Sequence, residues 1–105
     1  MFNQPAPISS RRIRIALVGC GRIAQKHLDA IEKHQDNLEL VAVCDSDPAA
    51  LAEATQRTGA TGYDRYPELL EASDADAVIL CTPSGLHAPQ SVVAAEVGKH
   101  VITEK

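Results

Sequence analysis

The chain contains 105 residues, of which 45% are hydrophobic and 23% are charged, and this composition is typical of a single globular domain. Ten Lys and Arg against 14 Asp and Glu give a formal net charge of −4, which disfavours general nucleic-acid binding because that function usually needs a basic surface. Apolar runs fall far short of the ~20 residues that a membrane-spanning helix needs, so we expect no membrane partner. We expect residues 1–11 to form a flexible arm and residues 12–105 to form the domain, and three cysteines without an export signal indicate the cytoplasm.

Short apolar runs alternate with helical patterns along the chain, which predicts an α/β fold with a parallel sheet. Strands are expected over residues 13–18, 38–44, 61–63, 77–81 and 100–103, and helices over residues 22–35, 48–58, 67–72 and 88–97. Ala24, Leu28 and Ile31 recur at helical spacing and predict one buried stripe on the first helix. The order is that of a doubly wound, Rossmann-type sheet, and because the chain stops just after an expected central strand we interpret it as a fragment of that fold.

A glycine-rich loop follows the first predicted strand. Its sequence GCGRIA matches the pattern G-x-G-x-x-[G/A] between a predicted strand and a predicted helix, which is the context that gives the pattern meaning. Gly19 would permit the tight turn, Gly21 would let a pyrophosphate approach the backbone, and Ala24 would allow close helix–strand packing. Together with Arg22 and Ile23 at the helix N-terminus, these residues predict a dinucleotide phosphate site. The alternative is a strand-to-helix turn that merely favours glycine.

Asp45 ends the second predicted strand, about 20 residues after the glycine loop, where dinucleotide-binding folds carry the acid that binds ribose. A carboxylate there accepts hydrogen bonds from ribose hydroxyls and repels a 2′-phosphate, and residues 46–52 contain no Lys or Arg to neutralise that phosphate. The pair of motifs therefore favours NAD over NADP. The alternatives are an acid that only caps a helix or ends a strand, and a methyltransferase that binds S-adenosylmethionine.

The carboxyl ends of the fourth and fifth predicted strands carry the motifs CTPSGLH and TEK, and both reach the sheet edge that holds the glycine loop. Together, GCGRIA, Asp45, CTPSGLH and the final GKHVITEK resemble the Gfo/Idh/MocA oxidoreductase family over nearly the whole chain after the arm. The resemblance implies an NAD-dependent dehydrogenase in which Lys105 takes part in proton transfer from the substrate. It also implies that the cofactor is lined by residues of the last two motifs, namely Thr82, Pro83, Ser84, His87 and Glu104.

The family usually supplies a further catalytic His or Asp from a later α+β substrate domain, so we expect this chain alone not to turn over and the full-length protein to be a homo-oligomer. The motifs look most like the bacterial nucleotide-sugar branch of the family, which oxidises the 3-hydroxyl of UDP-N-acetylglucosaminuronic acid in lipopolysaccharide synthesis. A non-catalytic, NAD-sensing protein on the same fold is the competing interpretation, because fold does not fix function.

Several residues also have plainer interpretations. His87 is alternatively a polar, solvent-facing residue at a helix N-terminus, and Lys105 a solvated terminal charge. The cysteines lack C-x-x-C spacing, so we expect them to pack in the core and we expect no metal site: Cys20, Cys44 and Cys81. The arginines before the first strand are expected to form a solvated face: Arg11, Arg12 and Arg14.

Overall fold

A computed structural model describes residues 11–103, apart from the side chain of Ser84. Five parallel strands form one sheet in the order β3-β2-β1-β4-β5, with the bounds β1 (Ile13–Val18), β2 (Leu38–Cys44), β3 (Thr61–Tyr63), β4 (Ala77–Leu80) and β5 (His100–Thr103). The helices are α1 (Arg22–Lys33), α2 (Pro48–Thr58), α3 (Tyr66–Ala72) and α4 (His87–Glu96), and a 3-10 turn (Ser84–Leu86) precedes α4. The doubly wound parallel sheet predicted from the sequence is confirmed.

Two apolar layers cover the two faces of the sheet, because successive side chains of a strand point to opposite faces. Ile15 and Leu17 of β1 pack with the α1 stripe and with α2 on one face. Ala16 and Val18 pack with α3 and α4 on the other face. The predicted stripe is confirmed, since its three residues are all buried: Ala24, Leu28 and Ile31. The central strand is thus buried on both sides, which explains why its sequence is a continuous apolar run.

The helix ends follow local hydrogen bonding more closely than periodicity. Prediction extended α1 to residue 35, but the helix ends at Lys33 because a turn follows, in which the His34 carbonyl accepts the amides of Asn37 and Leu38. Asp47 caps α2 by accepting the Ala49 amide at 3.1 Å, with Pro48 at the first helical position. The α4 helix begins at His87, one residue earlier than predicted, because the 3-10 turn leads directly into it.

Asp76 joins the beginnings of three strands at the end of the sheet opposite the glycine loop. Its carboxylate accepts two hydrogen bonds from the Arg11 guanidinium, at 2.7 and 2.8 Å, and one from the Arg14 amide at 2.8 Å. Its amide donates to the Arg14 carbonyl, and its carbonyl accepts the His100 amide. The Arg11 guanidinium, followed by the Arg14 amide, lowers the pKa of Asp76 to about 2. Arg11 and Arg12 are exposed, as expected, whereas Arg14 is half-buried because it lies within β1. Arg11 is also part of this junction.

We expect Asp76→Asn to lower the free energy of unfolding at pH 7 by about 1–2 kcal/mol, less than the full pKa difference implies because Arg11 is partly exposed. Since folding depresses this pKa, the stabilisation is present above pH ~4 and is lost as the pH falls towards 2, so the two proteins should converge there. Denaturant titrations of both proteins across this range measure the difference. Asp36→Asn, which changes an exposed aspartate in the turn after α1, is the control. A destabilisation independent of pH would contradict the assignment.

Candidate functional site

An open cleft of about 500 Å³ lies at the carboxyl ends of β1, β2 and β4. The cleft sits where the sheet order reverses between β1 and β4, which is where open α/β sheets bind ligands, because the connections there leave on opposite faces. It brings together residues from three separate motifs that the sequence singled out: Gly19, Gly21, Asp45, Thr82 and Pro83. The ends of β1, β2 and β4 thus meet at one cleft, whereas the end of β5, which the sequence also placed there, contributes no described residue to its lining.

Gly19 is needed for the fold itself. Its φ is +90°, a conformation that favours glycine, and its amide donates to the Cys44 carbonyl at 2.8 Å. A Cβ built on Gly19 would lie 2.8 Å from the carbonyl carbon and oxygen of Cys81, and 3.1 Å from the Thr82 nitrogen. The sequence predicted the tight turn but gave no sign of this close approach to the loop after β4. Gly19 thus lets two cleft walls touch.

Gly21 has a different role, because the space beside it is open. A Cβ added there would meet no atom within 4 Å, and its φ of −84° suits any residue. Gly21 precedes α1, whose N-terminus has no side-chain cap, and the first turn carries no acidic residue. Free amide groups at a helix N-terminus attract anions. The glycine therefore leaves room for a ligand rather than for the protein, which fits a dinucleotide pyrophosphate.

The other loop residues divide between the surface and the core. Arg22 and Ile23 open α1 and are exposed, Ile23 by 46%. Ala24 is fully buried in the layer between α1 and the sheet, as the packing interpretation predicted.

Asp45 holds the glycine loop through backbone hydrogen bonds. Oδ2 accepts the Cys20 amide and Oδ1 accepts the Asp47 amide, each at 2.9 Å. The helix cap that the alternative interpretation considered for Asp45 is formed by Asp47 instead, and the Asp45 carboxylate joins the glycine loop to the start of α2. Each carboxylate oxygen can accept more than one hydrogen bond, so this role leaves acceptor capacity for ribose hydroxyls.

The loop after β4 is held by residues of α4. The Thr82 hydroxyl donates to Gln90 Oε1 at 2.6 Å, and His87 Nε2 lies 2.7 Å from the Thr82 carbonyl oxygen. Because a carbonyl only accepts, Nε2 must carry the proton, so neutral His87 keeps Nδ1 as its acceptor. His87 is half-buried against its own loop rather than pointing freely into solvent.

Among the cleft residues that were not predicted from the sequence, Tyr66 and Gln90 are joined by a hydrogen bond between two helices. The spacing of Gln90, three residues after His87 on one helix, could have indicated that both side chains face the same loop. The Tyr66 hydroxyl donates to the Gln90 carbonyl at 2.8 Å, a contact between α3 and α4 that has no sequence signal. Glu104, Lys105 and the side chain of Ser84 lie outside the described residues.

Two of the three cysteines, Cys20 and Cys44, are core residues, whereas Cys81 is half-buried, packs against the core and lines the cleft. Burial, followed by the charge of Asp45, raises the pKa of Cys20 to about 12, and burial raises that of Cys44 to about 11. Both thiols are therefore protonated at neutral pH, and both are buried, as the packing interpretation predicted. Within residues 11–103, no group of three His, Cys, Asp or Glu side chains is placed to hold a metal ion. In the same part of the chain, no helix is long and apolar enough to cross a membrane.

Comparison with known proteins then assigns the fold to a family. The family model for Gfo/Idh/MocA, described as an oxidoreductase family with an NAD-binding Rossmann fold, matches residues 13–105. The chain belongs to the Gfo/Idh/MocA oxidoreductase family. The cleft just described therefore lies in an NAD-binding Rossmann domain, and the predicted resemblance to this family is confirmed.

Two solved structures and one curated protein are similar to this chain. The WlbA dehydrogenase of Chromobacterium violaceum, in complex with NADH and UDP-GlcNAcA, is 57% identical with a TM-score of 0.93, over 100% of this chain and 30% of that one. The WlbA dehydrogenase of Bordetella pertussis, in complex with the same two ligands, is 47% identical with a TM-score of 0.93. The match covers 94% of this chain and 30% of that one. The 4-carboxy-2-hydroxymuconate-6-semialdehyde dehydrogenase of Sphingobium sp. is 42% identical over 94 residues, which are 88% of this chain and 29% of that protein. The chain thus spans about 30% of the length of such relatives.

The two glycines should separate folding from ligand binding. We expect Gly19→Ala to destabilise the fold by more than about 2 kcal/mol, because it combines a strained φ with a backbone clash. Gly21→Ala should cost less than ~1 kcal/mol of stability, since only a helix N-cap changes. It should nevertheless weaken NADH binding by about tenfold or more, because its methyl group enters the ligand space. Thermal melts and NADH titrations of both variants measure the two effects. Unchanged NADH affinity in Gly21→Ala would contradict the site.

Proposed function

We propose that this chain is the NAD-binding part of a dehydrogenase that moves a hydride between a hydroxyl-bearing carbon of a nucleotide sugar and nicotinamide. The substrate we propose is UDP-N-acetylglucosaminuronic acid, oxidised at its 3-position. The observation that carries the proposal is the 57% identity, over the whole chain, to a dehydrogenase solved with NADH and UDP-GlcNAcA. The relative that acts on a muconate semialdehyde is less similar, at 42% identity, so the nucleotide sugar is favoured.

The cleft residues have distinct proposed roles in holding the cofactor. The free amides at the start of α1 bind the pyrophosphate, and Gly21 admits it to the backbone. Asp45 accepts hydrogen bonds from the adenosine ribose, and Thr82 and Pro83 lie on the opposite wall of the cleft. The family resemblance also assigns Ser84 and His87 to the cofactor. Bound NAD supplies the hydride acceptor, while the protein orients the reacting groups.

The negative charge at the end of β2 favours NAD over NADP. Burial raises the pKa of Cys44, and the charges of three nearby carboxylates raise it further: Asp45, Asp64 and Glu68. A 2′-phosphate placed beside Asp45 would add at least one further negative charge to this group. Repulsion of that phosphate therefore supports NAD as the cofactor.

Oxidation of a hydroxyl also requires that its proton be removed as the hydride leaves. The family resemblance gives that role to Lys105, with Glu104 holding the nicotinamide ribose. A lysine serves as the base when burial or a nearby cation lowers its pKa, because its neutral amine is the proton acceptor.

Parallel titrations of the full chain with NADH and NADPH test the cofactor, with binding followed by nicotinamide fluorescence. We expect NADH to bind at least about tenfold more tightly, because Asp45 repels the 2′-phosphate. Asp45→Asn should weaken the binding of NADH by about tenfold, the usual effect of losing a hydrogen bond to a charged group. It should weaken the binding of NADPH less. Asp36→Asn, at the far end of the sheet, is the matched control and should change neither. Tighter binding of NADPH by the wild type would contradict the proposal.

Turnover tests the chemistry in the full-length protein. With NAD and UDP-N-acetylglucosaminuronic acid we expect reduced nicotinamide to accumulate. Lys105→Met should lower the rate by about 10²-fold or more, the usual contribution of a general base, while NADH affinity stays within about threefold. The control is Lys99→Met, because Lys99 lies outside the cleft and donates a hydrogen bond to the Ala75 carbonyl. NADH binding without turnover of any sugar substrate would instead favour the NAD-sensing alternative.

A further inference from the structure

Thr82 is held at both of its polar ends by α4. Its carbonyl accepts the His87 Nε2–H at 2.7 Å, and its hydroxyl donates to Gln90 Oε1 at 2.6 Å. Its backbone nitrogen lies beside the glycine loop, 3.1 Å from where a Cβ on Gly19 would sit. Thr82 is therefore the point at which the loop after β4, helix α4 and the glycine loop meet.

The bond to Gln90 decides what Thr82 can offer to a ligand. A threonine hydroxyl has one hydrogen to donate and two lone pairs that accept. Because the Thr82 hydroxyl donates its hydrogen to Gln90 Oε1, it can only accept hydrogen bonds from other partners. Such an acceptor suits a hydroxyl or amino hydrogen of a dinucleotide, and it does not suit a phosphate oxygen, which is itself an acceptor.

Gln90 is in turn fixed from α3. Its backbone carbonyl accepts the Tyr66 hydroxyl at 2.8 Å, and burial raises the pKa of Tyr66 to about 12, so this hydroxyl remains a donor at neutral pH. Gln90 is half-buried in the first turn of α4, and with Tyr66 and Thr82 it lines the cleft. The Gln90 side chain is therefore attached to a turn of α4 that is fixed by a hydrogen bond from α3.

We propose that Gln90 is a positioning residue for the cofactor: it orients the Thr82 hydroxyl so that Thr82 accepts a hydrogen bond from the bound dinucleotide. This inference rests on the proposed function, because it requires NAD in this cleft. Gln90 would affect binding only through Thr82, which distinguishes it from a residue that merely supports α4.

A double-mutant cycle in the full chain tests this coupling, with the dissociation constant of NADH as the readout. We expect Thr82→Val and Gln90→Met each to weaken NADH binding about three- to tenfold, the usual effect of losing one hydrogen bond. The double variant should bind no more weakly than Thr82→Val alone. Gln56→Met makes the same change at an exposed position in α2 and should leave the affinity unchanged.

Gln90→Glu provides a second arm, because it keeps an acceptor oxygen for the Thr82 hydroxyl. In the Gln90→Glu background, Thr82→Val should weaken NADH binding by the same factor as in the wild type. This holds even if the added charge changes the NADH affinity of Gln90→Glu itself. In the Gln90→Met background Thr82→Val should have a smaller effect than in the wild type, because the unoriented hydroxyl already contributes less to binding. Thermal melts accompany every variant.

The outcomes separate this inference from the proposed function. Additive effects of Gln90→Met and Thr82→Val, or unchanged affinity in Gln90→Met, would overturn the positioning role while wild-type NADH binding stands. If the wild-type full chain binds no NADH, then the proposed function itself fails. If Gln90→Met lowers the melting temperature strongly, the effect of Thr82→Val is compared between the wild type and Gln90→Glu instead. Loss of that effect in Gln90→Glu would contradict the inference.

Discussion

The close approach of Gly19 to the backbone of Cys81 is the constraint on which the site depends. It brings the loop after β1 against the loop after β4, at the point where the sheet order reverses. Any side chain at position 19 would force the two strand ends apart, because backbone atoms and not a flexible side chain stand in the way. The cleft walls are therefore placed by the packing of two main chains, and the side chains described above complete walls whose separation is already set.

Asp45 connects that packing to cofactor choice. Its carboxylate accepts the amide of Cys20, inside the glycine loop, and the amide of Asp47, which caps α2. The same group is proposed to receive the ribose and to repel a 2′-phosphate. Specificity and loop geometry are thus coupled through one side chain. A variant at this position changes the shape of the phosphate site as well as its charge, which is why the conservative amide is more informative than alanine.

The sequence predicted much of this because the relevant signals are local. Apolar runs and the period of α1 gave the strands and the buried stripe, and the glycine spacing located the turn after β1. The parts it missed depend on contacts between distant segments. Nothing near Tyr66 or Gln90 in the sequence shows that their helices meet, and nothing near Asp76 shows that Arg11 reaches it across 65 positions. The end of α1 was misjudged for a smaller reason, since periodicity continues through residues whose amides have already formed a turn.

The two ends of the sheet show how environment separates a structural carboxylate from one suited to a ligand. Asp76 receives a bidentate guanidinium and a backbone amide, and its pKa falls to about 2. These three hydrogen bonds use most of its acceptor capacity, so Asp76 has little left for a ligand. Asp45 receives one amide on each oxygen and lies on the wall of an open cleft. Two amides orient its carboxylate without neutralising its charge. An oriented, charged acceptor beside open space is what recognition of a diol requires. A carboxylate paired with an arginine stays ionised, but the guanidinium offsets its charge and fills its acceptor sites.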